Sequence, residues 1–407
     1  MTYPQGRLVG SLAGVQVVGG VGNGAGLAIG ALLVKDVSGS SGWAGMATVM
    51  LTVGAALATV PLARWAVRAG RRPALTTGWW IGAVGAVVAI LGADLDSLPV
   101  VLLGLVLFGA STAANLQSRF AATDRAEPRK VARSLSVVVW ATTVGAVAGP
   151  NLTQPGARVA DALGIPHLAG LLVFSSVAFA LAGLMTFVLV RPDPLAREQG
   201  VARPPRVSPW PHLRGTALTA IVAIAASHAV MVSVMALTPV HMQDHGADLE
   251  LIGLTISLHI AGMFALSPVF GWLSDALGPA VVVVAGQVTL VVSTVVAGTA
   301  GHSEPRIMVG LVLLGIGWSM SVIAAAAMLT TAVTPQVRPA VQGVADLAMN
   351  VAGATGGLLA GLVVAWRDFG TLNAAAAVLT IPVVALVVAG SRAAAAASPD
   401  TETAGRL

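Results

Sequence analysis

Apolar, almost charge-free runs of about twenty residues recur from one end of this chain to the other. Each is long enough to cross a hydrocarbon layer of about 30 Å as an α-helix. Twelve such runs are read, at residues 8–33, 43–66, 74–93, 98–121, 132–156, 166–190, 215–240, 250–272, 279–300, 306–332, 341–365 and 370–391. Charged residues make up 10% of the 407 positions, against about 25% in soluble domains, and mean hydropathy is +0.86. The expected fold is an all-α membrane protein of twelve transmembrane helices, with the lipid bilayer as its main partner. The first run follows Arg7 but is too long for the apolar region of a signal peptide.

The formal charge of +5 does not call for nucleic acid. With the N-terminus placed in the cytoplasm, only Lys35, Arg158, Arg306 and Arg367 of the 22 Lys and Arg fall in outer segments. The inner segments hold the rest, including Arg64, Arg68, Arg71, Arg72, Arg125, Arg129, Lys130 and Arg133. That asymmetry is the positive-inside rule, and it puts both termini in the cytoplasm of a bacterial inner membrane. The chain has no cysteine, so disulfides and thiolate ligands are excluded.

Residues 191–214 are rich in Pro and Arg and lack periodicity, which marks a cytoplasmic linker between six-span halves at 1–190 and 215–407. Glycines repeat at one offset across that linker: Gly70 and Gly278, Gly109 and Gly317, Gly145 and Gly353, Gly149 and Gly357 stand 208 residues apart. Duplicated halves around a midplane site are an architecture of secondary transporters.

The loop after the second run reads Ala63-Arg-Trp-Ala-Val67-Arg68-Ala-Gly70-Arg71-Arg72, and its counterpart reads Gly271-Trp-Leu-Ser-Asp275-Ala-Leu-Gly278-Pro-Ala. Together they resemble the G-x-x-x-D-R-x-G-R-R loop motif of the major facilitator superfamily, each half keeping what the other has lost. The resemblance covers nearly the whole chain and implies alternating access between two six-helix halves. It also implies a cytoplasmic clamp in which Arg71 or Arg72 pairs with Asp124 and Asp275 sits near the start of span five. Asp346, about eight residues into span eleven, has two readings. It compensates Val67 by partnering Arg71 and Arg72, or it lies at a wetted helix end. Gly145-Ala-Val-Ala-Gly149-Pro150 is similar to the G-x-x-x-G-P motif of superfamily antiporters and is read as a helix-5 hinge. The span-four Arg of the superfamily is replaced by Leu105, and Arg119 lies nearer the cytoplasm.

Spans seven and eight carry Met231-x-x-x-Met235 and His259-x-x-x-Met263, pairs that each stack on one helix face. Three thioethers and an imidazole form a soft donor set suited to Cu(I). The spacing resembles that of the CcoA-like copper importers of the superfamily, which implies copper as the transported substrate, with no permanently bound cofactor. His228 is a further ligand or a proton site. The repeat counterparts Asn23, Leu27, Leu51 and Ala55 show that the fold itself does not need Met or His there.

Two alternatives stand beside copper: proton-coupled export of small organic molecules, or uptake of a neutral solute such as riboflavin. Gln16, Asn23, Asn115 and Gln117 are the polar candidates in the first half, which has no mid-membrane carboxylate. The glycine-rich stretch 19–26 follows no strand and is no dinucleotide site, so no enzyme is read here. The chain is taken as a monomer.

Overall fold

The computed structural model describes residues 5–39, 43, 46–149, 152–195, 208–247 and 249–396. Its helices are α1 (Gln5–Ser38), α2 (Met46–Ala69), α3 (Arg71–Asp94), α4 (Leu98–Ala121), α5 (Val131–Ala148), α6 (Thr153–Leu163), α7 (Gly170–Leu189) and α8 (Gly215–Asp244). They are followed by α9 (Leu249–Phe264), α10 (Ser267–Leu277), α11 (Pro279–Gly298), α12 (Glu304–Ala332), α13 (Arg338–Trp366), α14 (Phe369–Val378) and α15 (Ile381–Ala396). Eleven segments among the described residues are long and apolar enough to cross a membrane. The remaining expected span falls on α5, with 18 residues, continued by the short α6.

Two further expected spans are each built from two helices. The break between α9 and α10 falls just before Pro268, whose ring removes a donor and would clash with the carbonyl one turn back. The Ser267 hydroxyl donates to that carbonyl, Phe264 O, at 2.6 Å. The break between α14 and α15 precedes Pro382 in the same way, and Thr380 donates its hydroxyl to Ala377 O at 2.7 Å. Large apolar side chains such as Leu103, Val84, Val288 and Leu362 stand exposed around the outside, where the lipid would lie.

Packing within the two halves repeats. A Cβ on Gly54 of α2 would run into the Val106 carbonyl of α4, and one on Gly109 of α4 into the Leu51 carbonyl of α2. The same reciprocal crossing joins α9 and α12: Gly262 meets the Val312 carbonyl at 2.8 Å, and Gly315 meets the His259 carbonyl. Small residues let the backbones touch, which is how apolar helices gain contact where lipid offers no hydrophobic drive. Gly315 therefore stands where Gly109 stands, two residues before the Gly317 that a constant offset picks out. Gly145 and Gly149 bring α5 onto α1 at Val17, Val21 and Ala25, while Gly353 and Gly356 bring α13 onto α8 at His228 and Ala229. Pro150 lies outside the described residues.

The ends of α2, α4, α7, α10 and α12 and the starts of α3, α5, α11 and α13 gather at one face, which carries the arginine-rich loops and is called the basic face below. Residues 5–195 and 208–396 meet chiefly there, α2 lying along α13 and α5 along α10. At this seam a Cβ on Gly343 would lie 2.5 Å from that of Ala63, and one on Gly271 would meet the Ser136 hydroxyl. Helices α1 and α8 have no extended contact with each other.

Candidate functional site

The basic face is organised by carboxylates at two helix starts and by two buried ion pairs, one of them within the first half and one between the halves. The chain turns from α2 into α3 at Gly70 (φ 102°) and from α10 into α11 at Gly278 (φ 89°), a left-handed backbone that favours glycine. The first N–H groups of α3 lack helical partners, and Asp193, just beyond α7, fills that role. Its carboxylate accepts from Arg71 N at 3.1 Å and Arg72 N at 2.7 Å, placing an anion at the positive end of the helix. Arg125 holds this segment by donating to the carbonyls of Pro194 and Asp193, both at 3.2 Å.

Arg71 itself is buried. Its Nε donates to Asp124 Oδ2 at 2.7 Å, and its Nη2 donates to Asp124 Oδ1 at 3.1 Å and to Gln342 Oε1 at 2.6 Å. A two-point guanidinium–carboxylate pair thus sits inside the first half, and one amide carries it to α13. Burial pushes the Asp124 carboxyl up from its ordinary range, against the downward pull of Arg71. The backbone N–H of Arg72 rather than its charge takes part in this arrangement, its guanidinium lying over the Phe187 ring at 4.3 Å.

Asp346 corrects the expectation that it compensates Arg71 and Arg72. It lies fully buried on α13 and pairs with Arg119 of α4, a tie between the halves. Gln342, one turn nearer the start of α13, occupies the place beside Arg71 and forms its link to the second half. The reading of Asp346 as a wetted helix end is likewise set aside by its burial. Asp275 accepts from Ala132 N and Arg133 N at the start of α5, each at 3.0 Å, and also joins the halves.

The Met and His candidates divide between two neighbours. Met231, Met235 and Met263 share one apolar cluster with Leu314 and Trp318. His259 is turned toward α12, where its Nδ1 lies 2.8 Å from Leu311 O. A carbonyl only accepts, so Nδ1 carries the proton and Nε2 presents a lone pair; that buried atom has no protein partner. Helices α8 and α9 touch each other little, and both pack on α12. Among the described residues no three His, Asp or Glu side chains gather as a metal site. His228 accepts a 3.1 Å hydrogen bond from the Trp318 indole, which fixes its neutral tautomer with the proton on Nε2.

In the first half, Gln16 Nε2 donates to Asn115 O at 3.3 Å and to Thr142 Oγ1 at 3.2 Å, joining α1, α4 and α5. Asn23 Oδ1 accepts from Ser111 at 2.9 Å and from Thr112 at 3.4 Å. Gln117 is buried and donates to Thr59 O of α2 at 2.9 Å, so helix packing takes it out of the cavity set. Gln16 Oε1 and Thr143 Oγ1 remain buried with no protein partner. Sequence reasoning passed over Asp193 and Gln342. It also passed over Gln287, whose amide donates to Ser227 at 2.8 Å and to Ser321 at 2.9 Å to tie α8, α11 and α12.

The Major Facilitator Superfamily model matches residues 11–249 and 219–406, and the chain belongs to that family. It is 36% identical over 385 residues to the uncharacterized MFS-type transporter YddS of Bacillus subtilis, covering 92% of this chain and 88% of the relative. It is 30% identical over 372 residues to the riboflavin transporter RfnT of Brucella anthropi, with 89% of each covered. Among solved structures, a bacterial homologue of the iron transporter ferroportin in an outward-facing state superposes with a TM-score of 0.78 at 13% identity, covering 95% of this chain and 99% of that one. The Escherichia coli fucose:proton symporter FucP superposes with a TM-score of 0.73 at 12% identity, covering 94% and 98%. At such identities the two structures share the fold. The chain is therefore a multi-pass membrane protein of a family of secondary transporters.

Proposed function

We propose that this Major Facilitator Superfamily chain takes up a neutral organic solute of the flavin class by alternating access, with its basic face and both termini in the cytoplasm. The observation that carries the reading is the Gln16–Asn115–Thr142 cluster, where three helices meet around neutral amides and hydroxyls. Gln16 Oε1 there is left unpaired, and the hydroxyl of Thr143, next along α5, also has no protein partner. Buried polar atoms without a partner are costly, and a solute bearing amide-like donors and acceptors would satisfy them. A fixed cation would find no carboxylate among these groups. The riboflavin transporter RfnT, related over most of its length, supports the same solute class. With the basic face in the cytoplasm, the seam along α2–α13 and α5–α10 closes the inner side, and the solute enters from outside.

A second reading keeps copper as the imported substrate. The unpartnered Nε2 of His259 and the thioethers of Met231, Met235 and Met263 favour it, since soft donors in an apolar wall bind Cu(I) without deprotonation. Uptake of labelled riboflavin and of Cu(I) into proteoliposomes separates the two. Saturable riboflavin uptake that falls at least about tenfold in Gln16→Leu and persists in His259→Ala is expected, the size of effect of losing one buried hydrogen-bonding group. Copper uptake abolished by His259→Ala, with no riboflavin flux, would replace the flavin reading by the copper one. Outward movement of dyes in place of either flux would make the chain an exporter.

A further inference from the structure

We propose that His228 is a solute-binding residue: its Nε2–H donates to a carbonyl of the carried solute, while Gln16 Oε1 in the other half accepts from a ring N–H of the same molecule. The site is that of the flavin-class reading above, and the assignment rests on that reading. It narrows the solute to a planar heterocycle with a ring N–H beside a carbonyl, the edge of a cyclic imide.

Each of the two groups is held by a partner that can play only one part. The Asn115 backbone oxygen only accepts, so the Gln16 amide turns its nitrogen toward it at 3.3 Å, and the same nitrogen reaches Thr142 Oγ1 at 3.2 Å. That orientation leaves Oε1 as a buried acceptor with no protein donor. The Trp318 indole only donates, so at 3.1 Å it takes His228 Nδ1 as its acceptor, and the imidazole proton stays on Nε2. Nε2 faces Gly353 of α13, where a built Cβ would stand 2.9 Å away, and it has no acceptor among the described residues. So held, the ring has no free lone pair and acts as a donor. The first half therefore offers a fixed acceptor and the second a fixed donor.

Position ties both groups to the space between the halves. Helices α1 and α8, which carry them, have no extended contact with each other, and the halves meet chiefly at the basic face. His228 stands in the middle of the span Gly215–Thr238, beside α12 and α13, yet it is only half-buried. The Arg119 charge of α4 reaches it from the first half, and Arg119 lies one turn along that helix from Asn115. Asn115 and Thr142 are half-buried in the same way.

The donor belongs to a wall of rings. Trp318 of α12 lies 6.0 Å from the His228 ring, centroid to centroid, and Phe264 of α9 meets Trp318 edge-on at 5.8 Å. Three helices of the second half thus bring aromatic surface to one place, which suits the face of a flat heterocycle whose edge bonds to His228 and Gln16. A histidine kept only for packing would have both nitrogens satisfied, because an unused N–H in an apolar span is costly.

The full chain in detergent is titrated with riboflavin, whose fluorescence reports binding, and with lumazine, a smaller fluorescent ring bearing the same imide edge. His228→Phe keeps a ring against Trp318 and loses the donor, and riboflavin affinity is expected to fall about tenfold, the scale of one hydrogen bond. His228→Gln, whose amide nitrogen reaches the place of Nε2, should recover most of the loss. His228→Asn, which reaches only the place of Nδ1, should not. Sulfur is a poor acceptor, so 2-thioriboflavin or 4-thioriboflavin should bind the native chain more weakly than riboflavin. That preference should vanish in His228→Phe and persist in Gln16→Leu. Riboflavin bound equally by His228→Phe and the native chain, or a carbonyl preference that survives in His228→Phe, overturns the proposal and leaves the flavin reading standing. Should His228→Phe not fold, equal affinities of the Gln and Asn variants overturn it. A native chain that binds lumazine through His228 but not riboflavin sinks the flavin reading alone, and one that binds neither overturns both.

Discussion

The two loops that turn the chain at the basic face occupy matching places in the two halves and close the same seam by different chemistry. In the second half, Asp275 reaches across to the start of α5 and accepts two backbone N–H groups there. In the first half the equivalent position is Val67, and the start of α13 asks for no carboxylate. Pro339 has no N–H, while the N–H groups of Arg338, Ala340 and Val341 already find Thr334 O and Val337 O. Val67 and Pro339 instead line one small apolar pocket of about 120 Å³. The first-half loop crosses to the other half through Arg71 and Gln342, with a guanidinium where the second half uses an anion. The difference teaches that an incomplete motif need not mean a weak gate, because the helix start it faces has no free N–H to be capped.

Removing the buried cation should break this comparison most severely. Arg71→Ala leaves Asp124 without its partner in a dry site and is expected to cost about 3–5 kcal/mol of stability. Thermal unfolding in detergent measures it, and Arg71→Lys should recover part of the loss because one of the two carboxylate contacts survives. Asp275→Asn keeps an acceptor but removes the anion at the start of α5. It should cost about 1 kcal/mol, read as a larger separated population between labels on the two halves. Subtler still is the reciprocal change. Val67→Asp alone should weaken closure, since it meets a proline and spent donors. Combined with Pro339→Ala it should regain about 1 kcal/mol relative to the sum of the single changes, a coupling that a double-mutant cycle measures.

Much of this was legible in the chain. Apolar run length fixes the spans, since a run of about twenty apolar residues crosses lipid as a helix, and the likeness of the 63–72 loop to the superfamily motif pointed to Asp124 as the partner of Arg71 or Arg72. Other parts were not. Asp193 reads locally as a turn residue, since its carboxylate also accepts from Leu195 N at 2.8 Å, and only the folded chain brings the start of α3 to it. Gln342 carries no charge to announce a gate. Asp346 was visible as a costly residue and Arg119 as one lying near the cytoplasmic end of its span, but their sequence separation hid that they are each other's partner. The two split spans had a signal in Ser267-Pro268 and in Thr380 ahead of Pro382, which a reading by hydropathy alone overlooks. The Gly109 and Gly315 equivalence shows that a repeat can slip by two residues inside a helix pair while the crossing itself is kept.

The central claim is that contact between α2 and α13 at the basic face is one end of a transport cycle. The Ala63→Cys/Gly343→Cys variant tests it directly. The built Cβ separation of 2.5 Å needs the helices to yield by about 1 Å to reach the 3.5–4.5 Å typical of a disulfide, and no other cysteine competes. Labelled riboflavin flux is measured in proteoliposomes before oxidation, after it and after reduction. Flux that disappears on cross-linking and returns with reductant is the expected result; flux undiminished while the cross-link is fully formed would contradict it.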